Sequence, residues 1–578
     1  MATDSLLHEF PPVATEAWEE AIVRDLKGAD YDKKLLWKTD EGLAVKPYYR
    51  AEDLQGLEYL DPPPGHFPYA RGAQPSAAWR IREEIDEVNP ELANQAAQSA
   101  LAVGAEEIAF RNVSIHSASD LGMLLVNLHE IPVHFCDAGE PLIRLLIARQ
   151  RLSPASTGFD PLANLDFAAE ILAAAPPALT PFTIHGEEFE ESGATAVEEV
   201  GFTLAAGIEF LAEMQARNVN IDRAAASLEI SFAIGANFFF QIAKFRAFRL
   251  LWARAVESFG GAKPVAAARI HARTSRWNKT VYDPHVNILR GTTETLSAAL
   301  GGANSISVAP FDACYKAPDE ASRRLARNTQ ILLKHEAILS RVADPAAGSY
   351  AIEVITDFIA REGWRSMQAI EAAGGFRKAN ADGQIARALE QSMAAREKAV
   401  ASRRRVFTGT NQYPNPSETA LDRIDVERVF AGRRATQGFE RLRLRTERNA
   451  VKTGQSPLIL LAEIGDVKMR AARSNFAANL FGCAGLPCVT RQFSTTDAIA
   501  TADAGLIVLC SSDAEYLELG WELMSKLTEL RRNTPVLIAG NPDSADQLRT
   551  AGVTDFVHIR TNPIEFLAAW QLRLGIEE

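Results

Sequence analysis

Pro457-Leu458-Ile459-Leu460-Leu461-Ala462-Glu463-Ile464-Gly465-Asp466-Val467-Lys468 decides the architecture of the C-terminal part of this chain. An apolar run of strand length ends in Gly-Asp and passes directly into a helical pattern. The same alternation then repeats, with strand-length runs at 457–464, 486–493, 504–510, 535–539 and 555–559. Helical patterns fall at 467–484, 495–502, 514–531, 544–551 and 563–574. Buried strands joined by helical crossovers build a parallel, doubly wound sheet, and such sheets take their ligands beyond the carboxyl ends of the strands. The turn Gly465-Asp466-Val467-Lys468 is therefore the first place to look for a site.

Working outward, residues 381–455 are helical and charged, with Arg403-Arg404-Arg405 and an arginine-rich helix near 440–448. This stretch reads as a linker whose arginines form a solvated or inter-domain face. Residues 66–380 carry strand signals at 107–111, 132–136, 182–185, 229–234, 267–272 and 305–311, with helices such as 196–216 and 238–259. Repeated βα units over roughly 300 residues favour a (β/α)8 TIM-type barrel over an open sheet. Residues 1–65 hold one amphipathic helix, then Trp37, Tyr48 and Tyr49, and end in Pro62-Pro63-Pro64-Gly65. Rigid aromatics on such a segment suit an interface arm, and the proline run suits an extended connector. The domain at 456–578 completes the chain.

A formal charge of −13 argues against a basic nucleic-acid-binding surface. Cys136, Cys314, Cys483, Cys488 and Cys510 form no C-x-x-C pair and no disulfide-style framework, which fits a reducing compartment. The Met1-Ala2-Thr3-Asp4 start lacks a signal-peptide pattern, and no apolar run reaches the ~18 residues of a membrane span, so a cytoplasmic protein is expected. Neither a Gly-x-Gly-x-x-Gly turn nor a phosphate loop opens a helix, and no metal-ligand spacing is found.

Five central stretches resemble the methylmalonyl-CoA mutase family: Gly193-Ala194-Thr195-Ala196-Val197-Glu198-Glu199-Val200, residues 237–246, Arg269-Ile270-His271-Ala272-Arg273-Thr274-Ser275-Arg276-Trp277, Arg327-Asn328-Thr329-Gln330 and residues 343–350. The resemblance implies a barrel threaded by an acyl-CoA and capped by a flavodoxin-like domain carrying adenosylcobalamin, which interconverts methylmalonyl-CoA and succinyl-CoA by a radical route. Catalytic members carry D-x-H-x-x-G after the first strand of that domain, where the histidine ligates cobalt. This chain has Asp466, Lys468 and Ala471 at the three positions, and an ammonium has no lone pair to donate. Just before the G-[SA]-T-A-V stretch, catalytic members place an adjacent tyrosine and histidine against the thioester. Counting back from Gly193 puts Glu187 and Glu188 there, where the extended pattern points neighbouring side chains to opposite faces. Arg273 and Arg276 replace a glutamine and a glycine that face the corrin.

Further stretches, including residues 25–31, 46–50, 159–162 and 287–294, resemble the small, β-type subunit of the heterodimeric bacterial mutase. That resemblance implies a degenerate cobalamin-type domain, no catalytic, cofactor or metal residue in this chain, and a large catalytic subunit as partner that holds the adenosylcobalamin. Two alternatives stay open: a competent acyl-CoA mutase chain with an atypical site, and a regulatory protein of a mutase.

Overall fold

A computed structural model describes residues 13–149 and 153–577. Its first domain is a ring of parallel strands: Arg80–Asp86, Glu107–Arg111, Val133–Phe135, Ala155–Thr157, Leu179–Thr180, Phe182–His185, Leu228–Ile234, Ile270–Thr274 and Ser305–Ser307. Arg80–Asp86 pairs with Glu107–Arg111 on one side and Ser305–Ser307 on the other. Pro181, which has no N–H to donate, separates Leu179–Thr180 from Phe182–His185. The first piece pairs with Ala155–Thr157 and the second with Leu228–Ile234, so together they act as one stave. Thr157 donates to the Pro181 carbonyl at 2.6 Å and Thr183 to the Thr157 carbonyl at 2.6 Å, which carries the ring across this junction. Among the described residues the barrel therefore has eight staves.

Period-two alternation sorts the strand residues. Ile85, Ile108, Phe110, Ile184, Ile230, Ile270 and Ile306 belong to the main apolar core. Arg82, Glu84, Arg111, His134, His185, Glu229, His271 and Arg273 line the lumen. This polar interior hides Arg80–Asp86 from a search for apolar runs. Sequence reasoning also misses the three-residue strand Ala155–Thr157 and the strand Leu179–Thr180 interrupted by Pro181. The run at 267–272 begins later than expected, at Ile270, and the one at 305–311 stops at Ser307.

Long helices Ala196–Ala216, Phe238–Ser258 and Tyr350–Ala372 cover one side of the ring. Their charges are paired internally: Lys244 Nζ donates to Glu199 at 2.6 Å, and Arg246 joins Asp344 and Glu353. The C-terminal domain is a parallel sheet in the order Cys488–Gln492, Ile459–Glu463, Leu506–Cys510, Val536–Ala539, Asp555–Val557. Chain order thus reverses between the strands at Ile459–Glu463 and Leu506–Cys510, which places the switch point of a flavodoxin-like sheet at their carboxyl ends.

Helices Gln384–Ala401 and Gln437–Thr453 join the two domains. Met393 and Val400 share an apolar cluster with Trp277 of the barrel and with Phe439, Phe481 and Trp570. Arg403 bonds Asn479, and Arg405 pairs with Asp40, so part of the triple arginine is an inter-domain face. Among the described residues, no helix is long and apolar enough to cross a membrane.

Candidate functional site in the barrel lumen and the sheet crevice

The lumen opens into a cavity of about 920 Å³. Across it lies Arg82, which donates from Nε to Glu107 at 2.7 Å and from both terminal nitrogens to Glu229 at 2.9 Å. All three side chains are buried. Burial disfavours the Arg82 charge, but Glu107 and Glu229 outweigh it and hold the guanidinium above its ordinary pKa. His134 and His271 flank this cluster, bonded through Nδ1 to Ser156 at 2.8 Å and Ser305 at 2.9 Å. Burial first, and then Arg82, push both imidazoles well below their usual range, so they are neutral.

A second ionic tier is formed by Glu84, with Arg273 at 3.3 Å and Arg111 at 3.4 Å. Burial raises the Glu84 pKa, and the guanidiniums of Arg273 and then Arg111 more than reverse it. Arg273 is thus ion-paired across the lumen. Arg276, which also lines the cavity, donates to the Ala431 carbonyl of the linker at 3.3 Å.

Glu187 and Glu188 do not lie on a strand. They occupy the first turn of helix Gly186–Glu191, and both line the same cavity, which corrects the expectation that they face opposite ways. The helix starts here because Gly186 packs where a Cβ would come within 2.7 Å of the Ser231 carbonyl oxygen. His185, overlooked in the sequence, ends the preceding strand and donates from Nδ1 to Glu187 at 2.9 Å and from Nε2 to the Gly158 carbonyl at 2.8 Å. Two acceptors on two ring nitrogens require the imidazolium. Burial opposes the charge, but the hydrogen bond and charge of Glu187 carry the His185 pKa up to about 9. Glu187 is correspondingly lowered: burial raises it, and the bond and charge of His185 prevail. Burial, the leading cause, raises Glu188.

Asp466, Lys468 and Ala471 lie in the sheet domain, and none of them lines the lumen. Asp466 caps helix Val467–Gly482 by accepting from the Met469 N–H at 2.7 Å. Lys468 is exposed on the first turn and Ala471 is half-buried. His558, half-buried after the last strand, accepts through Nδ1 from the Arg560 N–H at 3.2 Å. The turn thus presents an ammonium where a corrinoid would need a lone pair, and the Glu515 carboxylate sits over Gly465, in the crevice beside it. These residues do not fit a cobalamin.

The N-terminal arm is built around helix Thr15–Asp25, none of whose residues is buried. Trp18 stacks on Tyr48 at 5.0 Å between centroids, and Trp37 meets Phe240 of the barrel edge-on at 5.8 Å. Trp37 therefore anchors the arm to its own barrel, while Val13, Trp18 and Val23 remain exposed.

The model of the methylmalonyl-CoA mutase family matches residues 38–123 and 159–479, most of the chain. The chain belongs to the methylmalonyl-CoA mutase family. It is 36% identical, over 99% of this chain and 99% of the relative, to a methylmalonyl-CoA mutase small subunit of Porphyromonas gingivalis. A methylmalonyl-CoA mutase small subunit of Streptomyces virginiae is 31% identical over 99% of this chain and 98% of its own. A methylmalonyl-CoA mutase of Cereibacter sphaeroides is 31% identical over 79% of this chain and 72% of its own. The two relatives named small subunit therefore run the length of the chain, arm and sheet domain included. The mutase-family match itself ends at residue 479, inside helix Val467–Gly482.

Proposed function

We propose that this chain is the small, non-catalytic subunit of a two-chain, cytoplasmic methylmalonyl-CoA mutase. A large subunit would hold the adenosylcobalamin and carry out the radical interconversion of methylmalonyl-CoA and succinyl-CoA. The observation that carries this reading is the pair of ionic tiers, Arg82 with Glu107 and Glu229, and Glu84 with Arg111 and Arg273, across the lumen that an acyl-CoA would thread. Displacing them would expose buried charges of both signs, a cost that a thioester chain offers nothing to offset.

Two further features support the reading. Glu187 and Glu188, in place of tyrosine and histidine, surround an imidazolium with negative charge at the mouth. An acyl-CoA carboxylate would be repelled there. The exposed Val13, Trp18 and Val23 leave apolar side chains on the arm that a large subunit could cover. What this chain contributes is then support and shape rather than a chemical step.

The test is incubation of the isolated chain with adenosylcobalamin followed by gel filtration. The expected product is colourless protein. Stoichiometric retention of the corrin spectrum would overturn the proposal and favour a catalytically competent chain.

A further inference from the structure

His134 and His271 stand on opposite walls of the ring, on the third and seventh staves counted from Arg80–Asp86. They are 6% and 5% exposed, and both line the cavity. Each commits Nδ1 to a serine of the neighbouring stave, Ser156 and Ser305. Among the described residues neither Nε2 has a hydrogen-bond partner. A buried polar atom without a partner costs free energy, which a bonded guest would return. Two buried imidazoles, each with one uncommitted nitrogen, therefore share one cavity, and neither ionic tier uses them.

The surroundings define the guest. Besides burial, Arg82 and Glu84 bear on His134, and Arg82 and Arg273 bear on His271, so both rings feel both tiers. The tiers balance, since the guanidiniums of Arg82, Arg111 and Arg273 face the carboxylates of Glu84, Glu107 and Glu229. With both imidazoles neutral, a charged guest would find no spare counter-charge there. Thr183 and Ser307 also line the cavity. Each of their hydroxyls already donates to a carbonyl, Thr183 to that of Thr157 and Ser307 to that of Arg82 at 3.3 Å. They offer lone pairs, so the guest must donate to them without carrying a positive charge. Hydroxyl groups do that, and they can also accept from an imidazole N–H.

We infer that the inner lumen is a binding site for an uncharged, polyhydroxylated small molecule, held by Nε2 of His134 and His271 and by the hydroxyls of Thr183 and Ser307. A cavity of about 920 Å³ is of the size that small-molecule sites have. Such a guest leaves both tiers in place, which a threaded acyl-CoA does not. The inference goes beyond the subunit reading and does not rest on it, because it concerns what the full-length chain binds with or without a partner.

The test is an NMR titration of the full-length chain, labelled with ¹³C at the histidine rings, at neutral pH with sorbitol, gluconate and glucamine. These probes share a skeleton and differ in charge. Sorbitol is expected to shift the His134 and His271 ring signals saturably, and the two charged congeners to bind at least about tenfold more weakly, each bringing an unpaired charge. His271→Leu and Ser307→Ala, with folds checked by circular dichroism, should each weaken sorbitol by at least about threefold, the worth of a hydrogen bond. If sorbitol leaves both ring signals of the unaltered chain unmoved, or a charged congener binds as tightly, the inference fails. A saturable shift that survives both substitutions would mean an adventitious additive only, which also overturns it. Should either variant misfold, the three congeners on the unaltered chain decide alone.

Discussion

Arg82→Met is the sharpest perturbation of the ion-paired lumen. The substitution keeps most of the side-chain volume but removes the guanidinium that bonds both Glu107 and Glu229. The Arg82 side chain is 2% exposed, and those of its two partners are 3% and 4% exposed. Breaking a buried pair leaves an uncompensated charge and costs about 3–5 kcal/mol, and here Glu229 loses both of its guanidinium bonds while Glu107 keeps only the more exposed Arg80 at 3.4 Å. We expect urea unfolding, followed through the barrel transition, to show a loss of at least about 3 kcal/mol at neutral pH. Unpaired buried carboxylates have raised pKa values, so the unfolded state binds fewer protons than the variant's folded state. The variant should therefore regain more stability than the parent as pH falls from about 8 to about 5. The apolar triple variant Arg82→Met with Glu107→Leu and Glu229→Leu should recover to within about 1–2 kcal/mol of the parent. A loss under about 1 kcal/mol for Arg82→Met alone would refute the reasoning, since it would mean that water already solvates these glutamates and the lumen is open.

Two more predictions concern the mouth. The His185 imidazole should titrate near 9 by NMR; because its folded pKa is raised, the pair's contribution to stability is fully present below about pH 6.5 and is lost as pH rises through about 9. Glu187→Gln should bring that midpoint below about 6.5, leaving burial as the dominant influence. Glu187→Tyr with Glu188→His, introduced into the complex with a large subunit, should leave turnover within about twofold, well under the ~1.4 kcal/mol of a tenfold change. A large loss of activity with assembly intact would mean that this barrel does chemistry.

The C-terminal domain was legible almost element by element because its three inner strands are buried on both faces and read as apolar runs. Leu506–Cys510 and Val536–Ala539 are buried throughout. The barrel was legible as a class but not as a set of staves. Arg80–Asp86 carries Arg82, Glu84 and Asp86 on its lumen side, so the hydrophobic pattern that marks a strand is missing where the interior is ionic. Counting from Gly193 pointed to Glu187 and Glu188, and both line the cavity, but the close packing of Gly186 at the start of their helix is a tertiary contact with no local signature. His185 could have been found as an ionisable residue at the carboxyl end of a barrel strand, two residues before a carboxylate.

In the proposed pair, one chain alone holds the cofactor. Native mass spectrometry of the complex between this chain and its large subunit, reconstituted with excess adenosylcobalamin and desalted, tests that most directly. One copy of each chain with a single cobalamin is the predicted mass. A complex carrying two cobalamins, or a cofactor-loaded assembly of this chain alone, would contradict it.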